Sequence, residues 1–321
     1  MNIAQVAEWA QRQPWAITES YLSNVIAQAI MAKARGEAMP EIEAAAPQRS
    51  QKGAIAVIPI YGPTTKKPSM LAQLFGINLP TYDGTAAVVN MAVADPNVGT
   101  ILLDIDSPGG VVNGCDELST VIFNARSQKR IVAYTGGTMA SAAYYYGSAA
   151  HEVIASADAD VGSIGCIAIH LDMSEMAKME GVKPTIVTSA PKKAEFHPLE
   201  PLSDDAKARA QAVVDHAGGM FVKAVARNRG VSVDVVRKQY GEGRLLMAHE
   251  AKAAGMVDRI DTMEGTLRRL GGQSMDVGRP LRAIAEIIGI QASVEPLADG
   301  GEAVESTVDD RERRRRKIAL S

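Results

Sequence analysis

The stretch GGTMASAAYYYGSAA, residues 136–150, follows a strand-like run, RIVAYT, at residues 130–135. Two glycines at the end of a strand permit a tight turn, and the alanines that come next favour a helix. This helix has almost no large aliphatic side chains, and its bulk comes from three consecutive tyrosines at positions 144–146. The serine in its first turn, Ser141, is either a packing and capping residue or a nucleophile, and the function depends on which.

The same strand-turn-helix unit recurs on both sides of this stretch. A buried strand, GTILLDID, leads through the turn SPGG into the helix that begins VVNGCDEL. Alternating strands and helices predict βαβ units and an α/β fold with a mostly parallel sheet. Further strands are predicted at residues 54–62, 151–165, 166–172 and 183–189, and further helices at 203–228 and 232–240.

Composition excludes several classes of protein. The chain has 321 residues, 46% of them hydrophobic, which is enough to bury a proper core. The net charge of −3 gives no electrostatic case for binding nucleic acid or an acidic membrane. Two cysteines make no disulfide framework, and neither a signal peptide nor an apolar run of about 18 residues is visible. We therefore expect a soluble, intracellular protein.

Composition also changes along the chain and predicts four regions. Residues 1–36 have apolar positions at near-helical spacing, Trp15 and Ile17 among them, and are predicted to be a helical arm. Residues 37–53 are predicted to be a linker, and residues 54–271 the main α/β domain. Residues 272–321 end in RERRRRKIALS and are predicted to be a flexible, solvated tail, although such a tail can also dock on an acidic partner.

The turn in DIDSPGG is the first candidate for chemistry. Gly109 and Gly110 stand at a strand-to-helix junction, where their backbone N–H groups are not covered by side chains. Such groups can point at a developing oxyanion. A plain tight turn explains the same residues, so both interpretations remain open.

Ser141 is the second candidate. A hydroxyl at the start of a helix that follows a strand can project from the carboxyl edge of a parallel sheet, where sites are usually found. The N–H of Ala142 could then supply an oxyanion donor. The motif is not the G-x-S-x-G elbow, because Met139 and Ala143 occupy the glycine positions. The alternative is a serine that only caps the helix.

A nucleophilic serine needs a base. None of the histidines at positions 151, 170, 197, 216 and 249 lies in a sequence context typical of a triad. A desolvated lysine can serve instead. Lys192 and Lys193 form a pair in a loop ahead of Pro198, where a solvated surface pair is the simpler interpretation.

Four motifs in a fixed order add to this. DIDSPGG, GGTMASAAYYYGSAA, VGSIG and KKAEFHPLEPL resemble the signal peptide peptidase A family of Ser-Lys proteases, and within it the bacteriophage branch of prohead (capsid maturation) proteases. The resemblance covers about residues 54–270, and the N-terminal PWAITESYL is similar to the openings of phage members.

The resemblance implies roles for individual residues. Ser141 stands where the family has its nucleophile, and Lys193, five residues before Pro198, where it has the general base. Ser163 of VGSIG matches a serine that orients the lysine amine. Lys192 is the alternative base, because the family's usual glycine ahead of the lysine is replaced here.

The implied oxyanion hole combines Gly109 or Gly110 with the N–H of Ala142. The implied fold is the Clp-protease/crotonase type, a spiral of ββα units. Clp peptidases use histidine, but the corresponding VGSIGCIA has none, so this chain departs from the histidine-based branch.

The function implied is a Ser-Lys endopeptidase that needs no cofactor and no metal. Its expected substrates are scaffold, capsid or portal proteins in the prohead, in the host cytoplasm. It is expected to be a homo-oligomer with active sites near the subunit interfaces, and the serine and lysine come either from one chain or from two neighbouring chains. Two alternatives stay open: a soluble bacterial peptidase of the same family that degrades signal peptides or small proteins, and an inactive assembly protein of the same fold in which Ser141 caps a helix.

Overall fold

The structure is a computed structural model, and it describes residues 14–21, 23, 27, 54–68 and 79–271. Of these, residues 54–68 and 79–271 belong to the α/β domain expected from the sequence. The strands are β1 (Trp15–Ile17), β2 (Ala54–Tyr61), β3 (Val98–Asp106), β4 (Gly109–Val111), β5 (Arg130–Thr135), β6 (Thr138–Ala140), β7 (Glu152–Ala155), β8 (Asp160–Gly162), β9 (Leu245–Met247) and β10 (Arg259–Ile260). The helices are α1 (Tyr82–Ala94), α2 (Cys115–Ala125), α3 (Ala142–Gly147), α4 (Ser174–Met179), α5 (Asp204–Arg229), α6 (Val233–Gln239), α7 (Ala248–Ala253) and α8 (Met263–Arg269).

Five parallel strands form the central sheet, in the order β10, β7, β5, β3, β2. In β3, Ile101, Leu102, Leu103 and Ile105 are all fully buried. A strand covered on both faces needs apolar residues at consecutive positions, which is why Ile101, Leu102 and Leu103 follow one another in β3. Successive side chains point to opposite faces, so Leu103 packs in one core cluster and Leu102 in another.

The chain repeats a ββα unit three times. β3, β4 and α2 are followed by β5, β6 and α3, and then by β7, β8 and α4. The first strand of each unit lies in the central sheet, whereas the second lies outside it: β4 pairs with β1, and β8 lies between β6 and β9. The predicted α/β class with a mostly parallel sheet is confirmed. This topology carries each second strand, and the turn after it, to the carboxyl edge of the sheet.

One prediction about the N-terminal region is wrong. Trp15 and Ile17 form a strand, not a helix, and residues 19–21 after them are helical. Trp15 and Ile17 are both buried, because β1 pairs with β4 and so lies against the core rather than apart from it. The predicted linker 37–53, the predicted tail 272–321 and most of residues 1–36 lie outside the described residues, so the proposed domain boundaries stay predictions.

Two predicted strands are also absent. In residues 166–172, Ile167 makes one isolated bridge to Trp15 and no strand forms. Residues 183–189 are an exposed, irregular stretch in which Val187 is 90% exposed. Their β-branched residues favour a strand, but a strand also needs a neighbouring edge, and the described part of the chain offers this segment none. Among the described helices, none is long and apolar enough to cross a membrane.

Candidate active site

Ser141 lies in the turn between β6 and α3, with an unusual backbone. Its φ is 52° and its ψ is −120°, a combination of backbone angles that residues other than glycine rarely adopt. Such a backbone conformation costs about 1–3 kcal/mol of folding free energy, and it persists only where the surrounding structure imposes it. One of those constraints is the bond from the Ser141 N–H to the carbonyl oxygen of Gly162, at 2.7 Å.

This geometry argues against the capping interpretation of Ser141. A capping serine has extended backbone angles, and its hydroxyl accepts a hydrogen bond from an N–H in the first turn. Ser203, at the start of α5, does both. Ser141 does neither, and its Oγ instead lies 3.5 Å from the carbonyl oxygen of Gly165, at the outer limit of a hydrogen bond. The hydroxyl is therefore not committed to holding the helix.

The small residues of α3 have a packing reason. α3 lies against β3, β4, β6 and α2, and its Ala142 and Ala143 are fully buried. A Cβ on Gly147 would lie 2.7 Å from the sulfur of Met139 and 3.2 Å from the Cδ1 of Ile105, which leaves no room for a larger residue. Small residues thus let the helix that follows Ser141 approach the sheet closely.

The hydroxyl groups of two of the three tyrosines hold α3 to neighbouring segments. The hydroxyl of Tyr144 donates to the carbonyl oxygen of Met256 at 3.0 Å, and that of Tyr145 bonds the Asp116 carboxylate at 3.0 Å. Burial raises the pKa of both phenols, so they stay protonated donors.

Asn228 of α5 holds the carboxyl end of α3, and sequence reasoning missed it. Its buried Nδ2 donates to the carbonyl oxygen of Tyr145 at 3.3 Å and lies within hydrogen-bond distance of the Ser148 and Ser119 hydroxyls. An asparagine inside a strongly helical block gives no local signal of this role, because its partners are 80 or more residues away in the chain.

The segment DIDSPGG is joined to β6 by backbone hydrogen bonds, and its Gly109 and Gly110 lie in the strand β4 rather than in the turn expected from the sequence. The N–H of Ser107 donates to the carbonyl oxygen of Thr138 at 2.7 Å, and the N–H of Ala140 donates to that of Ser107 at 3.1 Å. Gly109 then lies against Ser141, because a Cβ placed on Gly109 would be 3.0 Å from the Cβ of Ser141. The φ of Gly109, 108°, is in the region that favours glycine.

The predicted oxyanion donors differ in their availability. The N–H of Gly109 donates to the Ser107 hydroxyl at 3.2 Å, and Gly110 lies opposite Ala16 in the ladder between β4 and β1. The N–H of Ala142 forms no hydrogen bond within the described ranges. Since a buried amide normally has a partner, Ala142 is the donor best placed to receive one.

Ser163 shares the unusual backbone of Ser141. Its φ is 54°, and its N–H donates to the carbonyl oxygen of Arg244 at 2.8 Å. It directly follows Gly162, whose carbonyl oxygen accepts the N–H of Ser141. The two serines singled out from the sequence are thus joined through one residue, although their side chains form no hydrogen bond with each other.

The two lysines lie elsewhere, in an exposed turn at residues 191–196. Lys192 forms an ion pair with Asp205. The Lys193 ammonium has neither a hydrogen bond nor an ion pair with any described residue, and only its backbone N–H is held, by the carbonyl oxygen of Ala190 at 3.1 Å. Neither lysine contacts Ser141, so one copy of the chain does not bring the predicted dyad together, and the dyad stays a prediction.

Other nucleophiles and bases fit the site less well. Burial raises the pKa of Cys166 to about 12 and also raises that of Cys115, so both are protonated thiols and poor nucleophiles.

The histidines do not supply a base to Ser141. The Nδ1 of His151 accepts the N–H of Ile131 at 3.1 Å, and the Nε2 of His170 contacts the carbonyl oxygen of His197 at 3.2 Å. All five histidines are described, and none bonds Ser141. Within the described ranges, His, Cys, Asp and Glu form no group able to hold a metal ion.

Comparison with known proteins identifies a family. Residues 124–275 match the family model of Peptidase family S49, a range that includes Ser141, Ser163 and both lysines. The chain is 30% identical over 232 residues to "Capsid assembly protease C" of Escherichia phage lambda, covering 69% of this chain and 52% of that protein. It is 31% identical over 206 residues to "Head-tail preconnector protein GP5" of Enterobacteria phage P21, covering 64% of this chain and 40% of that protein.

The chain spans about half or less of the length of these curated relatives. Among solved structures, the ClpP protease catalytic domain from Plasmodium falciparum is 15% identical with a TM-score of 0.39, covering 65% of this chain and 86% of that one. The fold assignment rests on the sheet topology itself.

Proposed function

We propose that this chain, which belongs to Peptidase family S49, is a serine endopeptidase with Ser141 as its nucleophile. The observation that carries the proposal is the geometry of Ser141. The residue is held at positive φ by the Gly162 carbonyl, and its hydroxyl caps no helix. Strained backbone that serves no local purpose is characteristic of functional sites.

The proposed reaction is acyl transfer to water. The Oγ of Ser141 attacks a peptide carbonyl carbon while a neutral lysine amine accepts its proton. The oxyanion that forms is stabilised by the N–H of Ala142 and by a glycine N–H of the SPGG turn, Gly109 or Gly110. The lysine then protonates the departing amine, and the acyl-enzyme is released when the same amine activates a water molecule.

Gly109 needs a small change to serve as a donor. Its N–H now donates to the Ser107 hydroxyl, a neutral bond that a developing anion would outcompete. Rotation of the Ser107 side chain about its Cα–Cβ bond would move the Oγ away and free the amide. Ala142 needs no such change, and Gly110 would first have to separate from Ala16.

We propose Lys193 as the base, supplied by a neighbouring copy of the chain. Lys193 is exposed and has no partner among the described residues, whereas a general base must be desolvated to be neutral near pH 7. The segment that precedes it is exposed too, including Val182 and Val187. Burial of this segment against a second copy would desolvate the lysine and give the segment a partner. Lys192 is the weaker candidate because Asp205 already pairs with it. Ser163 would accept or donate a hydrogen bond that orients the incoming amine.

The substrates we propose are phage head proteins: scaffold, capsid or portal chains cleaved inside the prohead, in the host cytoplasm. The support is the nature of the relatives, a capsid assembly protease and a head-tail preconnector protein. A soluble bacterial peptidase acting on signal peptides or small proteins is the second candidate, supported by a match of 29% identity to a "Putative signal peptide peptidase SppA" of Enterococcus faecium.

The test is co-expression with candidate head proteins, with cleavage measured by intact mass. Wild type, Ser141→Ala, Lys193→Ala and Lys192→Ala are compared, and a fluorophosphonate probe reports the nucleophile. We expect labelling and cleavage to be lost in Ser141→Ala, cleavage to be lost in Lys193→Ala, and Lys192→Ala to behave as wild type. Loss in Lys192→Ala alone would move the base to that residue. Absence of both labelling and cleavage in the wild type would leave the inactive assembly protein.

A further inference from the structure

The N-terminal strand β1 is paired along both of its edges beside the nucleophile. On one side it runs antiparallel to β4, with Ala16 opposite Gly110 and Ile17 opposite Gly109. On the other side Trp15 and Ile167 exchange two backbone hydrogen bonds, of 2.8 and 2.9 Å. The strand thus fills a slot between two backbone edges.

Both edges of this slot border Ser141. A Cβ placed on Gly109 would lie 2.2 Å from the carbonyl oxygen of Ala16 and 3.0 Å from the Cβ of Ser141, so the backbone of β1 and Ser141 both lie close to the same point. On the other edge, Ile167 comes two residues after Gly165, whose carbonyl oxygen contacts the Ser141 hydroxyl. The backbone of β1 therefore passes directly by the reactive group.

Ser141 is closed off in this arrangement. The residue is 1% exposed, and Ala16 and Ile17 are 1% and 4% exposed. A protein substrate cannot reach a hydroxyl in that state without movement of the chain. β1 is short, three residues, and residues 18–53 separate it from β2, so it can leave its place without pulling a strand out of the central sheet.

An extended peptide is recognised by adding it as a strand to an exposed edge, which uses backbone hydrogen bonds and tolerates many sequences. The edges of β4 and Ile167 are such edges, and β1 now occupies both. We propose that residues 14–18 act as an internal pseudosubstrate, which closes the peptide slot of Ser141 and must withdraw before a substrate strand can pair there. This presupposes the peptidase function proposed above. It also implies that the slot vacated by Trp15 accepts a large apolar side chain of the substrate.

A reversible tether tests the withdrawal. Pro14 and Val112 are opposed across the β1–β4 pair, with the carbonyl oxygen of Pro14 accepting the N–H of Val112 at 3.4 Å. Antiparallel positions at this separation suit a disulfide. Pro14→Cys with Val112→Cys is made in the full chain with Cys115→Ala and Cys166→Ala. We expect cleavage of an unfolded protein such as casein to fall about tenfold or more on oxidation, because the competent state is depleted, and to return with reductant. Each single-cysteine variant should be insensitive to oxidation.

A second variant loosens β1 instead. Ile17→Asp places a carboxylate where the side chain is buried, which disfavours the docked strand, and it should raise casein cleavage several-fold. Met91→Asp, at a position 60% exposed on α1, is the matched control and should change nothing. Thermal unfolding of both variants shows whether the fold is kept.

The outcomes separate this inference from the function on which it depends. Equal cleavage by oxidised and reduced tethered protein, with Ser141 still labelled by fluorophosphonate, would leave a peptidase in which β1 is a permanent structural strand. Labelling without cleavage even in a folded Ile17→Asp protein would also overturn the inference. A chain cut within residues 14–18 would make β1 a substrate rather than an inhibitor. Absence of labelling in every form would remove the peptidase function and the inference together.

Discussion

The backbone N–H of Ser141 donates to the carbonyl oxygen of Gly162 at 2.7 Å, and this bond joins the turn after β6 to the end of β8. Because β6 and β8 run parallel, with Ala140 paired to Gly162, the residues after each strand emerge at the same edge. Ser141 and Ser163 both emerge there at positive φ. The pairing of β6 with β8 therefore explains how Ser141 acquires a backbone conformation that a helix start by itself would not give it.

Replacing Ser141 by glycine should stabilise the protein while abolishing activity. Glycine adopts positive φ without steric cost, so the variant should recover part of the strain of about 1–3 kcal/mol. For a chain of this size each kcal/mol corresponds to about 2–4 °C in Tm. Differential scanning calorimetry measures the gain.

Ser141→Ala is the matched control for that change. It removes the same hydroxyl but keeps a Cβ, so it should lose activity without the gain in Tm. Equal Tm values for the two variants would show that the positive φ is not strained.

Gly109→Ala should damage both stability and the site. The added Cβ would lie 2.2 Å from the carbonyl oxygen of Ala16 and 3.0 Å from the Cβ of Ser141, and the positive φ is unfavourable for alanine as well. Overpacking of this kind costs about 1–3 kcal/mol. Chemical denaturation should show the loss. Gly218→Ala, inside α5 with nothing within 4 Å of its Cβ, should instead gain up to about 1 kcal/mol.

Asn228→Ala should destabilise the protein by about 1–3 kcal/mol, because it strips a buried donor from the Tyr145 carbonyl and from two serine hydroxyls. Since the lost bonds fasten the end of α3, the rate of fluorophosphonate labelling at Ser141 should fall as well. Asn124→Ala, at an exposed position of α2, serves as the control and should change neither Tm nor labelling.

Activity should resist iodoacetamide near pH 8. Burial raises the pKa of Cys166 to about 12, above the usual value, so the reactive thiolate is scarce at pH 8 and becomes abundant only as the pH approaches 12. Peptide mapping after alkylation of the folded protein should find Cys166 and Cys115 unmodified, and both modified after denaturation. Rapid inactivation with modified Cys166 in the folded state would contradict this protonation state.

Local sequence signals predicted the elements that carry the site. The apolar run of β3 and the helix start at Ser141 lie where their patterns indicated, but Gly109–Val111 and Thr138–Ala140 form the strands β4 and β6, where a turn leading directly into a helix was expected. These features depend on neighbours within a few residues, which the sequence displays directly. The parallel sheet follows from the same signals, because chirality and connection length leave few alternatives. The ββα order, in contrast, was implied only by the resemblance to a known family.

The wrong secondary-structure predictions concern segments whose structure depends on residues far away in the chain. KPTIVTS, at residues 183–189, has strand-forming residues but no described edge to pair with, and so is not a strand. Trp15 and Ile17 fit a helical spacing, yet they form a strand because β4 and Ile167 present two backbone edges to them.

The amino-acid sequence by itself therefore determined the α/β class, the family and the place of Ser141 at the start of a helix. Only the tertiary structure decided that Ser141 has a positive φ and caps no helix, and that Asn228 bonds the end of the following helix. It also decided that the Lys193 ammonium has no partner among the described residues, and that β1 lies beside the buried Ser141. The physical reason is that turns and helices are set by contacts close in sequence, whereas strand pairing and burial are set by contacts between segments far apart in the chain.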